Sequence, residues 1–118
     1  MEDVEPRFFS DCQARVAVEV LSGRWPMVVL YALTKGSGRP GELRQQIGGI
    51  SQKVLTETLR RLEANGLVER RRYAEAPPRV EYSLTAAGED LLVPIQALGD
   101  WAERHAETVM AAQEAAGA

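Results

Sequence analysis

Apolar positions recur at helical spacing in five stretches of the chain and alternate at strand spacing in two. In "DCQARVAVEVLS" Val16, Val20 and Leu21 fall on one helical face, Asp11 or Ser10 stands where a cap belongs, and Ser22-Gly23 ends the run. "RWPMVVLYALTKG" predicts a second helix, with Pro26 in its first turn and Gly36 as its stop. It is apolar almost all round, which marks a central core helix. "PGELRQQI" is a third, short helix with Leu43 and Ile47 facing inward, and "GGI" is a tight turn. Ser51 caps a fourth helix, "SQKVLTETLRRLEANG", with a core stripe of Leu55, Leu59 and Leu62. Asn65-Gly66 closes it, one of the pair taking the left-handed C-cap conformation. The period then changes to two. Val80, Tyr82 and Leu84 alternate with Arg79, Glu81 and Ser83, so "LVERRRY" and "RVEYSLT" form a hairpin whose tip Pro77 and Pro78 stiffen. Thr85 caps a long last helix carrying Leu91, Leu92, Ile95, Leu98 and Trp101 at helical spacing. Pro94 predicts a kink or break inside it, and the tail "AAQEAAGA" is expected to fray.

This order predicts a mainly α fold with a small β-hairpin (α+β). The short helix, the "GGI" turn and the capped helix form a helix-turn-helix, and the hairpin is the wing of a winged helix. In that motif the second helix enters the DNA major groove. With the leucine stripe inward, 100° per residue points Lys53, Glu57 and Arg60 outward, with Thr56 on the flank. Basic side chains can read guanine edges, a threonine methyl can touch thymine, and a carboxylate can accept from cytosine. An ordinary amphipathic helix with a solvated face fits this helix, taken alone, as well.

Charge changes the balance. The formal net charge of the 118 residues is -3, but residues 24–85 carry 11 basic and 6 acidic side chains, a net +5 between acidic ends. A basic middle can hold a polyanion locally. Hydrophobic residues make up 45% and charged residues 26%, so composition argues against disorder. No apolar run is long enough to cross a membrane, and the acidic start lacks an apolar signal core. With a single cysteine and no internal disulfide, the chain is expected in the reducing cytoplasm.

The wing concentrates the basic charge. Strand alternation puts Arg70 and Arg72 on one face and Arg71 on the other, and Arg79 follows the double proline. Guanidinium groups around a stiff tip suit a phosphate backbone or a narrow minor groove. The rival is a solvated hairpin whose arginines pair with Glu69, Glu75 and Glu81. It ranks second because the hairpin directly follows a helix-turn-helix.

The stretches "VLSGRWPMVVLYAL", "GELRQQIGGISQKVLTETLRRLEANGLVERRRYAEAPPRVEYSLTAAGEDLL" and "ALGDW" resemble the HxlR-type transcriptional regulators, a branch of the MarR-like winged-helix proteins. The resemblance covers most of Cys12 to Trp101. It implies a homodimer bound to double-stranded, near-palindromic operator DNA, usually as a repressor, and dimerising through the first and last helices. It implies DNA contacts at Ser51, Lys53, Thr56 and Arg60 and at the wing residue Arg79. Gln52, Arg70 and Arg72 complete the candidate set. On this reading the chain is one domain: an arm over about 1–10, a dimerisation helix at 11–22, a DNA-binding core at 24–85 with the wing at 67–85, and a C-terminal dimerisation helix at 86–113.

Some members of the family sense oxidants or electrophiles through a cysteine just before the first helix, often followed by proline. Cys12 occupies that place, but Gln13 follows it. A helix N-terminus and Arg15 favour a thiolate there and Asp11 opposes it, so Cys12 is either a redox sensor or a packing residue at the dimer interface. Trp25 is either core or the wall of a small-molecule effector pocket. His105 has no second ligand near it, so no metal is expected, and no cofactor. No nucleophile–base pair or carboxylate dyad stands out, which argues against an enzyme. A winged helix used for protein–protein contact is the chief alternative.

Overall fold

Leu30, Leu43, Leu55, Leu59 and Leu62 are fully buried, and the fold is the arrangement that brings them together. The computed structural model describes residues 13–36 and 38–117. The element order is α1 (Ala14–Val20), α2 (Pro26–Lys35), α3 (Pro40–Ile47), α4 (Gln52–Ala64), β1 (Val68–Tyr73), β2 (Arg79–Leu84), α5 (Ala86–Asp90) and α6 (Leu92–Gly117). Val29 and Leu30 of α2, Leu43 of α3 and the three leucines of α4 form the core, closed by Ile50, Leu67, Val68, Tyr82 and Ile95.

The helix-turn-helix is built as the sequence predicts. Pro40 opens α3, and Gly48 and Gly49 join it to α4 with φ of 73° and 70°. Two successive residues with positive φ make a turn that side chains with a Cβ resist, which is why both are glycine. The turn drives Ile50 into the core. Ser51 Oγ then accepts from the Val54 amide at 3.1 Å and starts α4, and Gly66, with φ 76°, closes the connection to β1.

β1 and β2 pair antiparallel with Val68 opposite Leu84, Arg70 opposite Tyr82, Arg72 opposite Val80 and Tyr73 opposite Arg79. Contacts at both edges fix the hairpin to the rest of the fold. Thr85 Oγ1 donates to the Gly66 carbonyl at 2.7 Å and accepts from the Gly88 amide at 3.1 Å, so one side chain caps α5 and holds it to the end of α4. On the other edge the Tyr82 amide donates to the Gly38 carbonyl at 2.8 Å. The backbones meet so closely there that a Cβ on residue 38 would collide with the Tyr82 carbonyl.

Four expectations change. The first helix is shorter than 11–22: α1 spans Ala14–Val20 and has no side-chain cap, while Ser10, Asp11 and Cys12 lie outside the described residues. α2 is not buried all round, since Val28 and Tyr31 are 41% and 40% exposed on the side facing α6. The last helix breaks at Leu91, not at Pro94, and so divides the 86–113 segment. A proline ring clashes with the carbonyl four residues earlier, so the disruption falls before it, and Pro94 then sits in the first turn of α6, where a missing N–H costs nothing. The tail stays helical to Gly117, in keeping with its alanines.

The Gly38 contact gives a stability test. Gly38→Ala should lower unfolding free energy by about 1–3 kcal/mol through the forced shift against β2. Gly41→Ala, where nothing stands within 4 Å of the added carbon, should leave stability unchanged or raise it by up to about 1 kcal/mol. Urea unfolding of the two variants beside wild type measures both.

Candidate nucleic-acid interface

The buried side of α4 determines its exposed side. Leu55, Leu59 and Leu62 are fully buried, and Thr58 beside them is satisfied by donating to the Val54 carbonyl at 2.8 Å. Ser51, Gln52, Lys53, Thr56, Glu57 and Arg60 are all exposed. Gln52 Nε2 donates to Thr56 Oγ1 at 3.3 Å, so these two side chains lie along one surface. Lys53 and Arg60 form no ion pair among the described residues. Two unpaired cations, a hydroxyl with its methyl, an amide and a carboxylate thus share an open helix face beside a capped N-terminus. This set can donate to guanine or phosphate and accept from cytosine.

The wing arginines divide in a way that strand alternation does not reveal. Arg70 and Arg72 do share a face, but it is the face that carries Val68 and Tyr82 into the core. Arg70 is accordingly half-buried and reaches back to Glu63 of α4, with Nε 3.5 Å from its carboxylate, where it braces the hairpin against the helix. Arg72, nearer the tip, is exposed and unpaired among the described residues. Arg71 lies on the opposite face, over a groove of about 760 Å³ between the hairpin and the ends of α2 and α5.

Arg79 is held on several sides. Its guanidinium stacks on Tyr73, its cross-strand partner, at 4.1 Å, and lies 3.6 Å from Glu75 and 3.9 Å from Glu81. Its buried Nε–H has no hydrogen-bond acceptor among the described residues. Glu81 also accepts from Arg39 Nε at 3.1 Å, so one carboxylate joins an arginine just before α3 to an arginine of the wing. Both line a cleft of about 380 Å³ beside the Pro77-Pro78 tip. The hydrogen bond from Arg39, together with the Arg79 charge, holds the Glu81 carboxyl below its ordinary value of 4.5 despite partial desolvation.

Arg39 is the residue that the sequence reading missed. It stands in a loop that reads only as a connector, and its pairing with Glu81 spans 42 residues. Trp25 is half-buried at the start of α2 with the Arg24 guanidinium 4.7 Å over its ring. The groove between α2 and α6, about 720 Å³, is lined by Met27, Val28, Tyr31 and Leu98 but not by Trp25. Among the described residues no group of three or more His, Cys, Asp or Glu side chains could hold a metal, and no helix is long and apolar enough to cross a membrane.

The profile of the HxlR-like helix-turn-helix family matches residues 20–110, and the chain belongs to that family. It is 47% identical over 96 residues to the uncharacterized HTH-type transcriptional regulator YkvN of Bacillus subtilis (strain 168), covering 81% of each chain. It is 38% identical over 107 residues to the uncharacterized HTH-type transcriptional regulator YtfH of Escherichia coli (strain K12), covering 91% of this chain and 85% of that one. Among solved structures, the redox regulator HypR in its reduced form superposes with a TM-score of 0.75 at 34% identity, over 83% of this chain and 97% of that one. The chain is thus a winged helix-turn-helix transcriptional regulator, of a class that is not enzymatic.

Glu81 gives a pH test. Its pKa in the folded chain lies below the unfolded one, so its contribution to stability is present above the unfolded pKa and is lost as pH falls through the folded pKa. Thermal melts taken between neutral pH and pH values below the ordinary carboxylate range should show this loss in wild type. Glu81→Gln should melt lower at neutral pH and show a flatter acid limb. Parallel acid limbs in the two proteins would contradict the assignment.

Proposed function

We propose that the chain is a repressor that binds a near-palindromic, double-stranded operator as a homodimer in the cytoplasm. The observation that carries the reading is the outward face of α4, with Lys53 and Arg60 open to solvent opposite fully buried leucines and Thr56 exposed on the flank. On this reading α4 enters the major groove, and Ser51, Gln52, Lys53, Thr56 and Arg60 contact bases and adjacent phosphates. The wing lies along the flanking backbone, with Arg72, Arg79 and Arg39 toward phosphate. Arg79 meets DNA already ordered by Tyr73 and Glu81, so little side-chain entropy is lost on docking.

The dimer reading rests on α6. Of its 26 residues only Ile95 is buried, while Leu98, Trp101, Val109 and Met110 are 48%, 49%, 38% and 62% exposed. Val16 and Val18 of α1 are also exposed. A second copy packing α1 and α6 across a two-fold axis would cover these residues and set two α4 helices about one helical turn apart. An effector step completes the reading, through Cys12 for an oxidant or electrophile, or through the surface near Trp25 for a small molecule. The structural likeness to HypR, named a redox regulator, favours Cys12, which lies outside the described residues.

Lys53→Ala and Arg60→Ala should each weaken binding to a duplex selected from a random library. A residue that reads a base should cost roughly 1–3 kcal/mol and relax preference at one position per half-site. Wild-type affinity in both variants would exclude α4 as the reader and favour a protein–protein role. Light scattering at micromolar concentration should give twice the chain mass, and a stable monomer would remove the dimer. Diamide should release the selected duplex from wild type but not from Cys12→Ser; an equal response in both would leave Cys12 a packing residue.

A further inference from the structure

Arg61 follows Arg60 on α4 but turns away from the open face. Its Nη1 donates to the Ser22 carbonyl at 2.9 Å and its Nη2 to the Glu19 carbonyl at 2.6 Å, 39 and 42 residues earlier in the chain. Glu19 lies in the last turn of α1 and Ser22 just beyond its end. The Glu19 carbonyl also accepts from the Ser22 amide at 3.3 Å, so the guanidinium is a second donor at the negative end of the helix dipole. Arg61 thus caps α1 from another element.

α1 has few other anchors. It is seven residues long and buries none of them. Only Val20 and the following Leu21 pack partly against the core. A helix so short does not hold its place unaided. The chain turns at Gly23 with φ 103°, and a Cβ there would stand 3.7 Å from Arg61 Nη1, so the turn fits closely beneath the guanidinium. The tie runs from α1 to the same helix, and the neighbouring position, that presents Arg60.

We propose that Arg61 is a positioning residue: it locks the stance of α4 to that of α1, so that a change in α1 alters operator recognition. This rests on the DNA-binding reading above. The competing role for an arginine on this helix is a phosphate contact. The two roles differ in their consequences. A phosphate contact adds affinity for any duplex and contributes to the salt dependence, whereas a positioning contact contributes chiefly where α4 must meet base edges in register.

The test uses the full chain, a duplex selected by wild type from a random library, and a scrambled duplex of the same length. Arg61→Ala should bind the selected duplex about tenfold more weakly, the scale of a lost charged hydrogen-bond pair, with unchanged affinity for the scrambled duplex and an unchanged salt slope. Arg61→Lys keeps the charge but loses the two-carbonyl fork, so it should share most of the loss. Ala17→Gly, in the exposed middle of α1, frays that helix. It should weaken selected-duplex binding several-fold in wild type and add almost nothing in Arg61→Ala. Light scattering confirms equal mass for all variants, and should Arg61→Ala fail to fold, Arg61→Lys and its Ala17→Gly combination carry the test. The proposal is overturned if Arg61→Ala weakens both duplexes equally with a lower salt slope, if Arg61→Lys binds like wild type, or if Ala17→Gly costs the same in both backgrounds. If wild type selects no duplex at all, the DNA-binding reading itself fails and Arg61 falls with it.

Discussion

The burial of one leucine face on α4 is the constraint on which the rest of this structure depends. Leu55, Leu59 and Leu62 are fully buried against Leu30 and Leu43. Burying a leucine of this kind is worth roughly 1.5–3 kcal/mol, several times the contribution of any surface charge pair. The helix therefore has no freedom to rotate about its axis, and the direction of Lys53 and Arg60 is decided by residues they never touch. The Gly48-Gly49 turn and the Ser51 cap fix where α4 begins, and the Thr85 side chain anchors α5 to its end. Hydrophobic packing on one side thus supplies the rigidity that a reading surface on the other side needs.

Arginine serves two purposes around this helix. Arg61 and Arg70 tie α4 to its neighbours, one to α1 and one through Glu63 to β1. Arg60 and Arg72, without partners among the described residues, are left for solvent or a ligand. Arg39 and Arg79 stand between these classes, since Glu81 holds both near one cleft while keeping them partly accessible. A shared carboxylate of this kind orders two cations that would otherwise repel, and a phosphate arriving there would compete with a partner and not with water alone. Its ion pairs are surface ones and worth little as stability. Their consequence is placement.

Much of this was legible from local rules. Helix periods, the proline at the start of α2, the Ser51 and Thr85 caps, the left-handed glycine after α4 and the hairpin alternation each depend on a few adjacent residues, and each appears as expected. The exposed set on α4 came from one helical wheel. The features that were not legible depend on pairs far apart in sequence. Nothing local says that Arg70 meets Glu63, that Arg39 meets Glu81, or that Arg61 reaches Ser22. The break falls a few residues before Pro94 because a proline disrupts the turn preceding it, and the tail stays ordered because its alanines favour helix more than its terminal position disfavours it.

The apolar stripe of α6 also runs further than the spacing to Trp101 indicated. The His105 ring lies against Trp101 in a tilted contact with centroids 5.3 Å apart, and Val109 continues the same face two turns beyond Trp101. A helix of 26 residues is about 39 Å long, and it dominates a molecule whose longest extent is 59 Å. The core it would have to share lies at its first turns, at Ile95, and cannot reach the rest. A stripe that continues past the reach of its own domain is what a second α6 would cover in the proposed dimer. On the proposed two-fold arrangement, the crossing of those helices, together with the tie from α1 through Arg61, would set the distance between the two reading faces.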